Sequence, residues 1–81
     1  MALPAEDRTL DCRGLLCPMP VVRCSREMKA LAPGQVLKLL ATDRGAVTDI
    51  PAWAQDTGNE LLEWHEDGAI LVFYLRRGTP E

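Results

Sequence analysis

Between residues 18 and 32 apolar side chains recur at steps of three and four: Val21, Cys24, Met28 and Leu31, with Val22 and Ala32 beside them. That period places them on one stripe of a helix. Arg23, Arg26, Glu27 and Lys29 fall on the other face, and Pro33-Gly34 stops the segment. Residues 35–41 then run almost continuously apolar, as in a strand covered on both faces. A short extended run, residues 8–11, precedes the helix, so strand, helix and buried strand form a βαβ unit. After a turn at 42–45, Ala46, Val47, Ile50, Trp53, Ala54 and Thr57 keep helical spacing. Pro51 belongs in a first turn. The second helix is therefore expected from about Asp49, near its cap, to Thr57, after a loose turn at 45–48. Gly58-Asn59 closes it. Residues 60–66 and 69–76 read as two further strands, joined at Asp67-Gly68, a two-residue hairpin signal. The order βαβαββ predicts an α+β fold, a two-layer sandwich of a four-stranded mixed sheet with two helices on one face.

Length and composition narrow this further. The chain has 81 residues, 47% of them apolar. That is enough for one domain over residues 1–81, with a core at 8–78 and tails at 1–7 and 79–81. A domain of this size buries only about 60–65% of its unfolded surface, so the core is thin. Twelve acidic residues against nine basic ones give a net charge of −3, which argues against direct nucleic-acid binding. Three cysteines are an odd set for a disulfide framework. The N-terminus lacks a charged segment followed by an apolar run, and no window approaches 18 apolar residues. The expectation is a cytoplasmic monomer with free thiols, no signal peptide and no membrane span.

The chemistry concentrates between Leu10 and Pro20, in Leu-Asp-Cys-Arg-Gly-Leu-Leu-Cys-Pro-Met-Pro. A glycine turn at Gly14 leads to Cys17, which stands directly before Pro18 and Pro20. Proline suits the first helical turn, whose N–H groups lack intrahelical partners. This spacing predicts Pro18 at the first helical position, Pro20 at the third and Cys17 as the N-cap. Cysteine is a poor cap, because it lacks the oxygen that accepts the orphan N–H bonds. A thiolate there is favoured by the positive end of the helix dipole, so the expected thiol pKa is lowered. The two prolines remove amides and serve to aim the sulfur, and Arg13 adds positive field. The plainer alternative is a half-buried cysteine in a loop whose prolines only start the helix.

Other candidates weigh less. Cys12 either packs between sheet and helix or resolves an oxidised Cys17. Cys24 lies two turns along the helix, roughly 10 Å from Cys17, and reads as core. The cysteine spacings do not form metal knuckles, and no metal site is expected. His65 reads as a half-exposed strand residue. Asp43 and Asp49 read as turn and cap residues, with a hydrogen bond near the Cys17 helix as the alternative. No phosphate-binding glycine loop is present. The basic face carrying Arg23 and Arg26 reads either as a solvated helix face or as a docking surface beside Cys17.

Leu10-Asp11, Gly14-Leu15 and Cys17-Pro18-x-Pro20 resemble the signature of the TusA-like (SirA/YedF-type) sulfur-carrier family. The likeness continues through Pro33-Gly34, Thr42-Asp43, Asp49-Ile50, Trp53, Gly58, Leu61 and Arg76-Arg77-Gly78, and spans residues 8–78. It implies the same βαβαββ sandwich. It also implies a sulfurtransferase role in which Cys17 takes sulfane sulfur as a transient persulfide, without another cofactor. The implied donor is a cysteine desulfurase or a rhodanese-type protein. The implied acceptor is a protein of a sulfur relay, serving tRNA thiolation, molybdenum cofactor, sulfur oxidation or selenium metabolism. Pro18, Pro20, Gly14 and Asp11 would position the cysteine, and Arg13, Arg23 and Arg26 would guide docking. Leu16 stands where some relatives carry a basic residue, which bears on partner choice. Two other readings remain beside this one: a binding module without chemistry, and a thiol redox sensor using Cys12 and Cys17.

Overall fold

The computed structural model describes residues 3–78. Its elements follow the expected order: β1 (Arg8–Cys12), α1 (Met19–Lys29), β2 (Val36–Ala41), α2 (Ala46–Thr57), β3 (Glu60–Asp67) and β4 (Ile70–Arg76). The strands lie side by side as β1-β2-β4-β3. β1 and β2 are parallel, while β4 runs antiparallel to both β2 and β3. Alternate strand residues share a face. Leu10 and Cys12, then Leu37, Leu39 and Ala41, then Leu71, Phe73 and Leu75 pack in one cluster. The same cluster takes in Cys24 and Met28 of α1 and Ala46, Ile50 and Ala54 of α2. Both helices therefore cover one face of a mixed sheet, the α+β two-layer sandwich expected.

Among the described residues the other face carries no helix and is covered by its own side chains. Val36, Val72 and Tyr74 are buried there among Leu40, Leu62 and Ile70. Lys38 places its ammonium 5.9 Å from the Tyr74 ring centre. His65 stacks on that ring at 6.2 Å, so it is a half-buried strand residue. This explains why β2 looks apolar on both sides.

Element ends differ from expectation for identifiable reasons. α2 begins at Ala46 rather than near Asp49, and its N-cap is Gly45. Ala46 and Ile50, one turn apart, are both buried. Burying an isoleucine side chain gains about 1.5–3 kcal/mol, enough to keep this turn helical with Pro51 inside. α1 stops at Lys29 instead of Ala32. Beyond it, the Arg77 guanidinium donates to the carbonyl of Lys29 at 3.1 Å and to that of Leu31, taking up oxygens that a helix end leaves free. The hairpin turn is Gly68-Ala69, one residue later than Asp67-Gly68, since Asp67 pairs with Ile70. Gly68 has φ 61°, the positive value a primed turn needs at its first central position. At the start of the chain, Asp7 exchanges two 2.8 Å hydrogen bonds with Val36, so the fixed chain begins before β1. Of the expected tails, residues 1, 2 and 79–81 lie outside the described residues.

Candidate functional site

The site grows out of the loop joining β1 to α1. Gly14 takes φ 79°, a left-handed conformation that glycine enters without steric cost. Just before it, the Asp11 carboxylate accepts the Arg13 backbone N–H at 3.0 Å and its guanidinium at 2.9 and 2.8 Å. The side-chain hydrogen bond from Arg13, then its backbone N–H, hold the Asp11 carboxyl down at about 2. Two further hydrogen bonds fasten the loop to the connection between β2 and α2. Gly14 N–H donates to Thr42 Oγ1 at 2.8 Å, and Cys17 N–H donates to Asp43 Oδ2 at 2.9 Å.

The Cys17 side chain is exposed, and its thiol donates to Asp49 Oδ2 at 2.8 Å. Gly45 leaves room for this arrangement: a Cβ there would lie 3.3 Å from Asp43 Oδ2 and 3.8 Å from Asp49 Oδ2. Cys17 thus meets two carboxylates, Asp43 from the connection after β2 on its backbone N–H and Asp49 from the first turn of α2 on its sulfur.

This corrects the expected electrostatics. Cys17 is not the N-cap; Pro18 is, and Pro20 takes the second helical position. Met19 N–H bonds the Leu16 carbonyl at 2.8 Å, closing a turn that contains the cis Cys17–Pro18 peptide. Val22 N–H bonds the Pro18 carbonyl at 3.1 Å. These amides are occupied elsewhere, and the helix dipole is not what governs the sulfur. The hydrogen bond to Asp49 pushes the Cys17 thiol up from its ordinary value. Desolvation and the negative charges of Asp49 and Asp43 push it the same way. Arg13 does not offset this, because Asp11 holds its guanidinium. The Cys17 thiol pKa is therefore raised where the sequence predicted it lowered.

Around the sulfur the surface is apolar and open. Leu16 is 73% exposed and Met19 40%. On the other side, Cys17, Pro18, Val21, Asp49, Trp53 and Asp56 border a shallow depression of about 450 Å³. A neighbouring hollow continues between the helices past Val22, Ser25 and Arg26, with Trp53 as the shared wall. Arg23 and Arg26 are exposed, and neither has an ion-pair partner among the described residues. Arg26 reaches the groove; Arg13 is bound within its own loop.

Cys12 and Cys24 are fully buried and unpaired. Burial pushes both thiols up, Cys24 to about 12. Their expected packing role holds, and a partner role for Cys12 would require it to leave the core. Asp43 and Asp49 take the alternative the sequence left open, hydrogen bonds at the Cys17 helix start, while Thr42, which appeared in the sequence only within the family likeness, also holds the loop. Trp53 was visible as an apolar helix position, but not as a wall of the groove.

Comparisons with known proteins converge. A family model described as "Sulfurtransferase TusA" matches residues 8–77. YrkI of Bacillus subtilis is 46% identical over 73 residues, 90% of this chain and 97% of its own. Sulfur carrier protein TusA of Allochromatium vinosum is 44% identical over 71 residues, 88% of this chain and 93% of its own. The crystal structure of a SirA-like protein from Desulfitobacterium hafniense superposes with a TM-score of 0.77. It covers 89% of this chain and 99% of that one, and at 23% identity it speaks to the fold. With its fold matched and its sequence aligned almost end to end with these relatives, the chain belongs to the TusA family.

Proposed function

We propose that the protein is a sulfur carrier: Cys17 accepts sulfane sulfur as a persulfide and hands it to a cysteine of an acceptor protein. The observation that carries this reading is the exposure of Cys17 at the mouth of the inter-helix groove. Relay between proteins requires a sulfur that a second protein's sulfur can approach in line, and access is among the terms that set the rate of thiol exchange. Cys12 and Cys24, buried in the core, offer no such approach. Pro18 and Pro20 start α1 beneath the sulfur, while Gly14, with Asp11 beside it, shapes the loop that presents it. Leu16 and Met19 form an apolar rim that a partner surface would cover. Arg23 and Arg26 carry positive charge on the neighbouring helix face, suited to an acidic partner.

The donor is a cysteine desulfurase or a rhodanese-type protein, and the chain works as a sulfurtransferase in a relay that suits a reducing cytoplasm. No bound cofactor is needed, because the persulfide is itself the cargo.

Incubation with a cysteine desulfurase and cysteine, followed by intact mass measurement without reductant, tests the reading. The wild type should gain about 32 Da, the mass of one sulfur on the cysteine oxidation ladder. Cys17→Ser should gain nothing. Absence of the adduct, or equal gain by Cys17→Ser, would refute it.

A further inference from the structure

A carrier cysteine attacks as a thiolate, yet the Cys17 thiol donates a 2.8 Å hydrogen bond to the Asp49 carboxylate, which disfavours its ionisation. Something must remove its proton during transfer. The Met19 and Val22 amides are bonded to the carbonyls of Leu16 and Pro18, and the Arg13 guanidinium belongs to Asp11. Asp43 spends Oδ2 on the Cys17 backbone N–H, so it fixes the loop rather than the sulfur. Among the described residues Asp49 is the group hydrogen-bonded to Sγ, at 2.8 Å. It also borders the depression through which a donor sulfur would reach Cys17.

We propose that Asp49 is a catalytic residue of sulfur transfer, taking the Cys17 proton as Sγ bonds to the incoming sulfane sulfur and returning it to the departing thiolate. This rests on the sulfur-carrier reading above. The donor is a persulfide, R–S–S–H. Sγ forms a bond to the terminal sulfur, which keeps its own hydrogen. The donor's S–S bond breaks, and its electron pair leaves on the inner sulfur as R–S⁻. The Sγ proton passes to Asp49 Oδ2 and then to that leaving sulfur. The sum is Cys17–SH plus R–S–SH giving Cys17–S–SH plus R–SH, with no oxidant or reductant consumed. At rest the carboxylate accepts the thiol's hydrogen bond and disfavours its ionisation. As the new bond forms, electron density leaves Sγ and its proton becomes acidic enough to cross a hydrogen bond that is already aligned. A general base must lie within hydrogen-bond reach of the proton it takes, and Asp49 does.

The test compares wild type, Asp49→Asn and Asp49→Glu by two readouts. One is the Cys17 ionisation, followed by ultraviolet absorbance of the thiolate. The other is the rate of sulfur uptake from glutathione persulfide at neutral pH. Asp49→Asn removes the negative charge, so Cys17 should ionise at lower pH and hold more thiolate. Its uptake should nevertheless fall, by about tenfold or more. Asp49→Glu keeps a carboxylate and should recover part of the rate. A purely electrostatic restraint predicts the opposite, more thiolate and faster uptake, and that result overturns the proposal. So does uptake unchanged in Asp49→Asn, or a loss of rate with no change in ionisation. If the wild type itself takes up no sulfur, the carrier reading fails first; a loaded wild type with an equally fast Asp49→Asn sinks only the role of Asp49.

Discussion

At Cys17 local charge outweighs helix position. A thiol at a helix start is commonly acidic, but here Asp49 touches the sulfur and Asp43 stands behind it. A raised pKa means less thiolate at neutral pH, so reagents that need thiolate should modify Cys17 slowly. A pH titration of thiolate absorbance should place its midpoint above that of an ordinary cysteine, and Asp43→Asn should move it down. Asp11 should behave in the opposite sense. Proton NMR should find its carboxyl titrating near 2, and Arg13→Gln should return it toward 3.8. Whatever stability this pair adds is present above that range and fades as pH falls through about 2. Both side chains are half exposed, so the effect on stability is small. The sequence made Cys17 conspicuous through its neighbours Pro18 and Pro20. It could not show what faces the sulfur, because Asp49 is 32 positions away and arrives only through the packing of α2 on α1.

At the level of elements, periodicity located every helix and strand, and the errors lie at their ends. Ends are decided by contacts that periodicity does not contain. Pro51 suggested a late start for α2, but the buried pair Ala46 and Ile50 holds one more turn. α1 ends early where Arg77, 46 residues beyond Leu31, reaches its last carbonyls. Arg77→Ala should free those oxygens and lower unfolding stability by about 1–2 kcal/mol in urea melts, without altering Cys17 ionisation. Gly78 has a different requirement. A Cβ there would stand 1.9 Å from the Gly58 carbonyl oxygen, so Gly78→Ala should force the chain after β4 away from the end of α2. Loss of hydrogen-exchange protection at Gly58 and Asn59 would register that shift; unchanged protection would contradict it.

Across the whole molecule, one sheet face holds the helices and two buried thiols, and the exposed Cys17 sulfur stands outside that core. Cys24 binds its proton more tightly folded, with its pKa at about 12, than unfolded, at about 8.5. Between those values the unfolded chain holds fewer protons. Stability should therefore fall with rising pH, by up to about 1.4 kcal/mol per pH unit. Cys24→Ala should be less stable at neutral pH yet lose less stability from pH 8 to 10, as denaturant midpoints would show. The separation of thiols also allows a direct test of where the cargo sits. Protein loaded from a desulfurase and cysteine can be digested without reductant, and the extra sulfur assigned among the peptides carrying Cys12, Cys17 and Cys24. The account predicts the added sulfur on the Cys17 peptide alone; sulfur on Cys12 or Cys24, or shared among the three, would contradict it.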